Sequence, residues 1–147
     1  MMNESRLKLV VDTSIIVAAL LKKKSLPYEV IIYSSSTFYA PRHLVEEIER
    51  HIDDILKKSE LTEFQVRTRL SEILNKIILL DEEDFIDKLQ EAMYMIGHRD
   101  VKDVPFVAVL LSINGDGILS YNRDFDELNA YGFKRYIPRD LYEIQQF

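Results

Sequence analysis

Five short β-type runs, separated by helical segments, constrain this chain more than any other feature. They are Leu7 to Val11, Thr37 to Ala40, Ile77 to Leu80, Gly117 to Ser120 and Phe133 to Ile137, rich in apolar, β-branched or aromatic residues. The intervening segments read as helices. A mostly apolar one runs from Thr13 to Leu21 and is closed by Lys22, Lys23 and Lys24 in its last turn, where cations suit the macrodipole. A second covers Pro27 to Ser34. Pro41 suits the first position of a third, which reaches about Lys58 with Leu44, Ile48, Ile52 and Ile55 on one stripe. Thr62 caps a fourth, and Asp81 starts a fifth that extends to Ile96 behind an acidic first turn. Asp103-Val104-Pro105 opens a nearly all-apolar helix over Phe106 to Ile113, and Pro138 opens the last. Short strands alternating with helices predict an α/β fold with a largely parallel central sheet. In such sheets ligands gather beyond the carboxyl ends of the strands, so those ends become the places to look.

Composition narrows the class further. The 147 residues predict one domain over 1–147, with no internal repeat or linker, and a hydrophobic content of 47% excludes wholesale disorder. No apolar run approaches the roughly 18–20 residues of a membrane span, and the N-terminus lacks a signal-peptide core. Cys is absent, which excludes disulfides and thiolate metal sites. A cytoplasmic protein without membrane contact is the expectation. The net charge of −6 is unevenly placed, at +3 over residues 1–45, −7 over 46–98 and −2 over 99–147. That balance argues at face value against nucleic acid, because phosphate neutralisation needs Lys and Arg.

The strand ends and helix starts hold carboxylates. Asp12 closes the first strand before Thr13-Ser14, Asp103 precedes a helix, and Asp124 follows the strand ending at Ser120. Each alone also suits a helix cap. Three acids at equivalent ends of elements in one sheet suit chemistry instead, because gathered carboxylates repel and a divalent cation removes that cost. Mg²⁺ takes oxygen ligands, typically one or two carboxylates plus substrate phosphate, so the cluster suits metal-assisted phosphodiester hydrolysis. Other chemistries fail on inventory. There is no Gly-rich phosphate loop and no G-x-S-x-G elbow, and position 14, two after Asp12, is Ser. His43 and His51 lie about two turns apart on one helix, too far to share a metal, and with His98 they read as surface residues. On the helix after Pro41, Glu47 and Glu49 flank the apolar stripe at about 100° on either side while Glu46 points away, so geometry leaves Glu47 and Glu49 open.

Four segments together resemble the PIN-domain ribonucleases. They are Val10-Val11-Asp12-Thr13-Ser14-Ile15, the stretch Tyr39-Ala40-Pro41 through Glu46-Glu47-Ile48, Asp100-Val101-Lys102-Asp103-Val104-Pro105, and Ile118-Leu119-Ser120-Tyr121-Asn122-Arg123-Asp124-Phe125. They occur in the family's order and span most of the chain.

The resemblance implies a three-layer α/β/α domain in which acids bind Mg²⁺ or Mn²⁺ and hydrolyse RNA. Carried across, the catalytic acids are Asp12, Glu47 (favoured over Glu49 by the family register) and Asp103. Asp100, one turn before Asp103, matches an additional acid of one branch. Asn122 stands where most active members carry Asp, and Asp124 matches the acid two residues on; Asn122 offers a metal its carbonyl oxygen without charge. Candidate substrate contacts are Ser14, Arg99, Lys102 and Arg123, with Lys22, Lys23 and Lys24 as further cations and Tyr121 as a base-stacking ring. The family includes toxins of toxin–antitoxin pairs, so RNA, an antitoxin protein and a second copy of the chain are the expected partners. The alternative is a degenerate PIN-like domain that binds RNA or protein without cutting, motivated by Asn122.

Overall fold

A computed structural model describes residues 6–145. Five parallel strands form one sheet in the order β3-β2-β1-β4-β5: β1 (Lys8–Val11), β2 (Thr37–Pro41), β3 (Ile77–Leu80), β4 (Gly117–Leu119) and β5 (Lys134–Tyr136). Nine α-helices among the described residues connect and flank them: α1 (Thr13–Ala19), α2 (Leu26–Tyr33), α3 (His43–Arg50), α4 (Ile52–Lys58), α5 (Glu63–Leu74), α6 (Glu82–Phe85), α7 (Leu89–Ile96), α8 (Val104–Ser112) and α9 (Pro138–Gln145). The expected three-layer α/β/α architecture is present, and its sheet is wholly parallel.

β1 lies at the centre, with Val10 opposite Tyr39 of β2 and opposite Ile118 of β4. Leu9, Val10, Val11, Ile118 and Leu119 are fully buried, as strands covered on both faces require. Phe106 to Leu110 of α8 are buried too, which accounts for that helix being apolar all round. The chain builds β2 and β3 on one side of β1, then crosses to build β4 and β5 on the other. The switch point therefore falls between the carboxyl ends of β1 and β4, where the Asp12 amide donates to the Leu119 carbonyl (3.3 Å). No helix among the described residues is long and apolar enough to cross a membrane.

Several boundaries differ from the sequence reading. Pro41 ends β2 opposite Leu80 instead of starting a helix, a strand-end position where its missing N–H is tolerated. The helix expected up to Lys58 breaks at His51, which is both the last residue of one turn and the first of the next. The helix expected over 81–96 divides into α6, a 3₁₀ turn at Ile86–Lys88 and α7. Lys22 to Lys24 lie beyond the end of α1 at Ala19, in the loop before α2. The cap that Asp124 suited falls to Asn122, which opens a 3₁₀ segment over Arg123–Tyr131.

Candidate functional site

Asp12 extends β1 into the switch point and is 7% exposed; Asp103 enters from the start of α8 and is 8% exposed. Both occupy N-cap positions, yet neither side chain closes a cap hydrogen bond. Their side chains are turned to other partners. Asp12 Oδ1 accepts from the Ser14 hydroxyl (2.6 Å) and Oδ2 from the buried Ser120 hydroxyl (2.7 Å). Each serine is anchored in turn: Ser14 Oγ accepts from the Tyr121 amide (3.1 Å) and Ser120 Oγ from the Asn122 amide (2.9 Å). One connected network thus joins the ends of β1 and β4 around a single carboxylate. Burial pushes the Asp12 carboxyl above its ordinary range, opposed by the two hydroxyls and by the nearby amides of Ile15 and Ser14.

Asp103 meets Asn122, whose side-chain amide lies 3.4 Å from both carboxylate oxygens. Asn122 is itself held, because its side-chain oxygen accepts from the Asp124 amide (3.0 Å). Burial, and then the charges of Asp100, Asp124 and Asp12, push Asp103 up to about 7, with only the Asn122 hydrogen bond acting the other way. Asp100 caps the short 3₁₀ turn Val101–Asp103 by accepting from the Lys102 amide (2.9 Å).

Of the two acids left open on α3, Glu47 turns toward the start of α1. It is partly buried, accepts from the Thr13 hydroxyl (2.8 Å), and lies 3.8 Å from His43 Nε2. Glu49 points away to Arg67 (3.1 Å), and Glu46 is exposed. His43 is not the free surface residue its isolation in the sequence suggested, since its ring packs edge-on against Phe106.

The expected cations divide. Arg99 is held by Glu127, with Nε 3.1 Å from Oε2, so its charge is largely answered on the protein. Lys102 and Arg123 are exposed. Ser14 is committed to Asp12. Sequence reasoning missed Thr13 and Ser120 as the groups that orient Glu47 and Asp12. The available signal was their position, Ser120 directly after β4 and Thr13 one residue beyond the acid that follows β1.

The donor set suits a hard divalent cation in chemistry: oxygen atoms only, and an Asp103 with acidic neighbours acting on it and no cation among them. The carboxylates are held singly, however. Among the described residues no three His, Asp or Glu side chains come together closely enough to hold an ion.

The structure is a parallel α/β domain with two buried acids, Asp12 and Asp103, at the ends of its elements near the switch point. The model of the PIN domain matches residues 10–125, and the chain belongs to that family. PIN domains are generally nucleases and generally use divalent metal ions. No curated protein matches the chain.

Proposed function

We propose that the protein is a metal-dependent endoribonuclease that hydrolyses RNA phosphodiester bonds. The observation that carries this reading is Asp103, a nearly buried carboxylate with Asp12, Asp100 and Asp124 close enough to raise its affinity for a proton. A fold maintains such repulsion at a cost, and a cation is the species that relieves it. Asp12, Glu47 and Asp103 would have to draw closer together to hold Mg²⁺ or Mn²⁺, with Asp100, Asp124 and the Asn122 carbonyl as further oxygen donors. Such an ion supplies an activated water and neutralises charge developing on phosphate.

The chain's own contribution is orientation. Ser14 and Ser120 fix both Asp12 oxygens, Thr13 fixes Glu47, and Asn122 fixes Asp103. Each donor satisfies one lone pair of a carboxylate oxygen and so fixes the orientation of its acid. In the toxin role suggested by the family, the partners would be an antitoxin protein and a second copy of the chain.

A second reading keeps the fold and drops the chemistry, and Asn122 favours it: an amide donates where another acid would add charge. RNA cleavage in Mg²⁺ or Mn²⁺ separates the two. Wild type is expected to cleave, with Asp12→Asn and Asp103→Asn reduced by at least 10²-fold, a typical loss when electrostatic stabilisation is removed. RNA binding without cleavage by wild type would establish the degenerate domain.

A further inference from the structure

A groove of about 370 Å³ runs from Tyr121 to the loop between α1 and α2, lined by Lys22, Lys24, Ser25, Leu26 and Pro27 among others. Its inner end touches the candidate site, because the Tyr121 amide donates to Ser14 Oγ, which donates to Asp12. Its charged lining is exclusively cationic, in a protein of net charge −6. Neither Lys22 nor Lys24 has an ion-pair partner among the described residues, whereas Arg99 is paired with Glu127. The far wall is the start of α2, whose dipole adds partial positive charge.

The loop that presents these lysines is held from outside. Arg69 of α5 donates to the carbonyls of Ala19 (3.0 Å), Lys22 (2.8 Å) and Lys23 (3.1 Å). Its guanidinium also stacks on Tyr28, 4.2 Å from the ring centre. Glu60 accepts from the Lys23 amide (2.9 Å), and the Ser59 hydroxyl donates to the Leu20 carbonyl (2.6 Å). Free lysines on a solvated loop would need none of this.

We propose that this groove carries the RNA strand to the acids, with Lys22 and Lys24 on backbone phosphates and Tyr121, 45% exposed, stacked on a base. The proposal rests on the nuclease reading and gives that site its direction. The strand enters over the lysine loop, and Arg99 contributes little.

The test is anisotropy of a short fluorescein-labelled single-stranded RNA, titrated with the full chain in EDTA at several salt concentrations. Cleavage of the same RNA is followed separately in Mn²⁺. Lys22→Gln/Lys24→Gln is expected to weaken binding at least tenfold and to flatten the salt slope by about 1.4, as two lost phosphate contacts on a single strand require. Tyr121→Leu is expected to weaken binding at least fivefold with the slope unchanged. Lys22→Arg/Lys24→Arg restores binding, and Arg99→Gln stays within twofold of wild type. Because all of these side chains are exposed, equal melting temperatures are expected throughout. Binding by the Lys-to-Gln pair or by Tyr121→Leu within twofold of wild type overturns the groove; if wild type still cleaves, the nuclease reading stands. Competition by polyglutamate as strong as by unlabelled RNA overturns it in favour of an acidic peptide. Wild type that neither binds nor cleaves RNA overturns both.

Discussion

At Asp103, burial and three acidic neighbours act in the same direction, and the consequence is measurable without any substrate. Its carboxyl titrates near 7 in the folded protein against about 3.9 in the unfolded chain. The folded state therefore binds the proton more tightly. The stability this group contributes is fully present below about pH 4, is lost as pH rises toward 7, and stays lost above. In metal-free protein, chemical denaturation from pH 4 to 8 should show that decline, on the order of 1–3 kcal/mol for this residue. Asp103→Asn should remove it and raise stability at neutral pH, because the amide carries no charge to desolvate. A metal-free Asp103→Asn protein less stable than wild type at pH 8 would show that Asp103 is held by attraction. The same reasoning explains what sequence could disclose at this scale. Asp12 and Asp103 stand at strand and helix ends in plain view, whereas Ser120 acquires its role only because β4 pairs beside β1, 108 positions away from Asp12.

Among the elements, the five strands were legible almost to the residue, because short runs of apolar, β-branched or aromatic residues bounded by polar turns have few other uses. The helix after β2 was legible as an amphipathic stripe but not as two pieces, since one helical period passes through His51 unchanged. The lysine loop was the least readable segment. Three lysines after an apolar helix fit a solvated last turn, and nothing local marks that Arg69, nearly fifty residues later, fixes the carbonyls around them. That arrangement depends on the planar guanidinium, which reaches three carbonyls and a ring at once. An ammonium cannot reproduce the fork. Arg69→Lys is expected to cost about 1–2 kcal/mol in thermal or chemical denaturation, the scale of charge-assisted hydrogen bonds left unmade. It should also accelerate amide exchange at Lys22 to Lys24 well beyond the rest of the sheet-facing backbone. Exchange unchanged in the loop would mean that Glu60 and Ser59 suffice to hold it.

Across the whole molecule, the net charge of −6 is the sum of regions with different roles. The −7 of residues 46–98 belongs to α3 through α7 and the β3 edge, while the unpaired lysines lie in the connection from β1 to β2. The metal site proposed at the switch point would couple stability to divalent ions. An ion that binds only the folded state stabilises it by about 2.7 kcal/mol at a hundredfold excess over its Kd. For a chain of this size each kcal/mol shifts Tm by roughly 2–4 °C, so saturating Mn²⁺ should raise Tm by roughly 5–10 °C, reversibly on adding EDTA. Asp12→Asn should abolish the shift, since it removes a buried charge from the donor set. Asn122→Asp tests the same coupling from the other side. It adds a carboxylate beside Asp103, so the metal-free protein should melt lower than wild type and the Mn²⁺ increment should grow. A variant that melts lower without gaining a larger increment would place position 122 outside the ion's reach. The amide-to-Asp103 contact would then be structural, with the remaining acids alone answering to the metal.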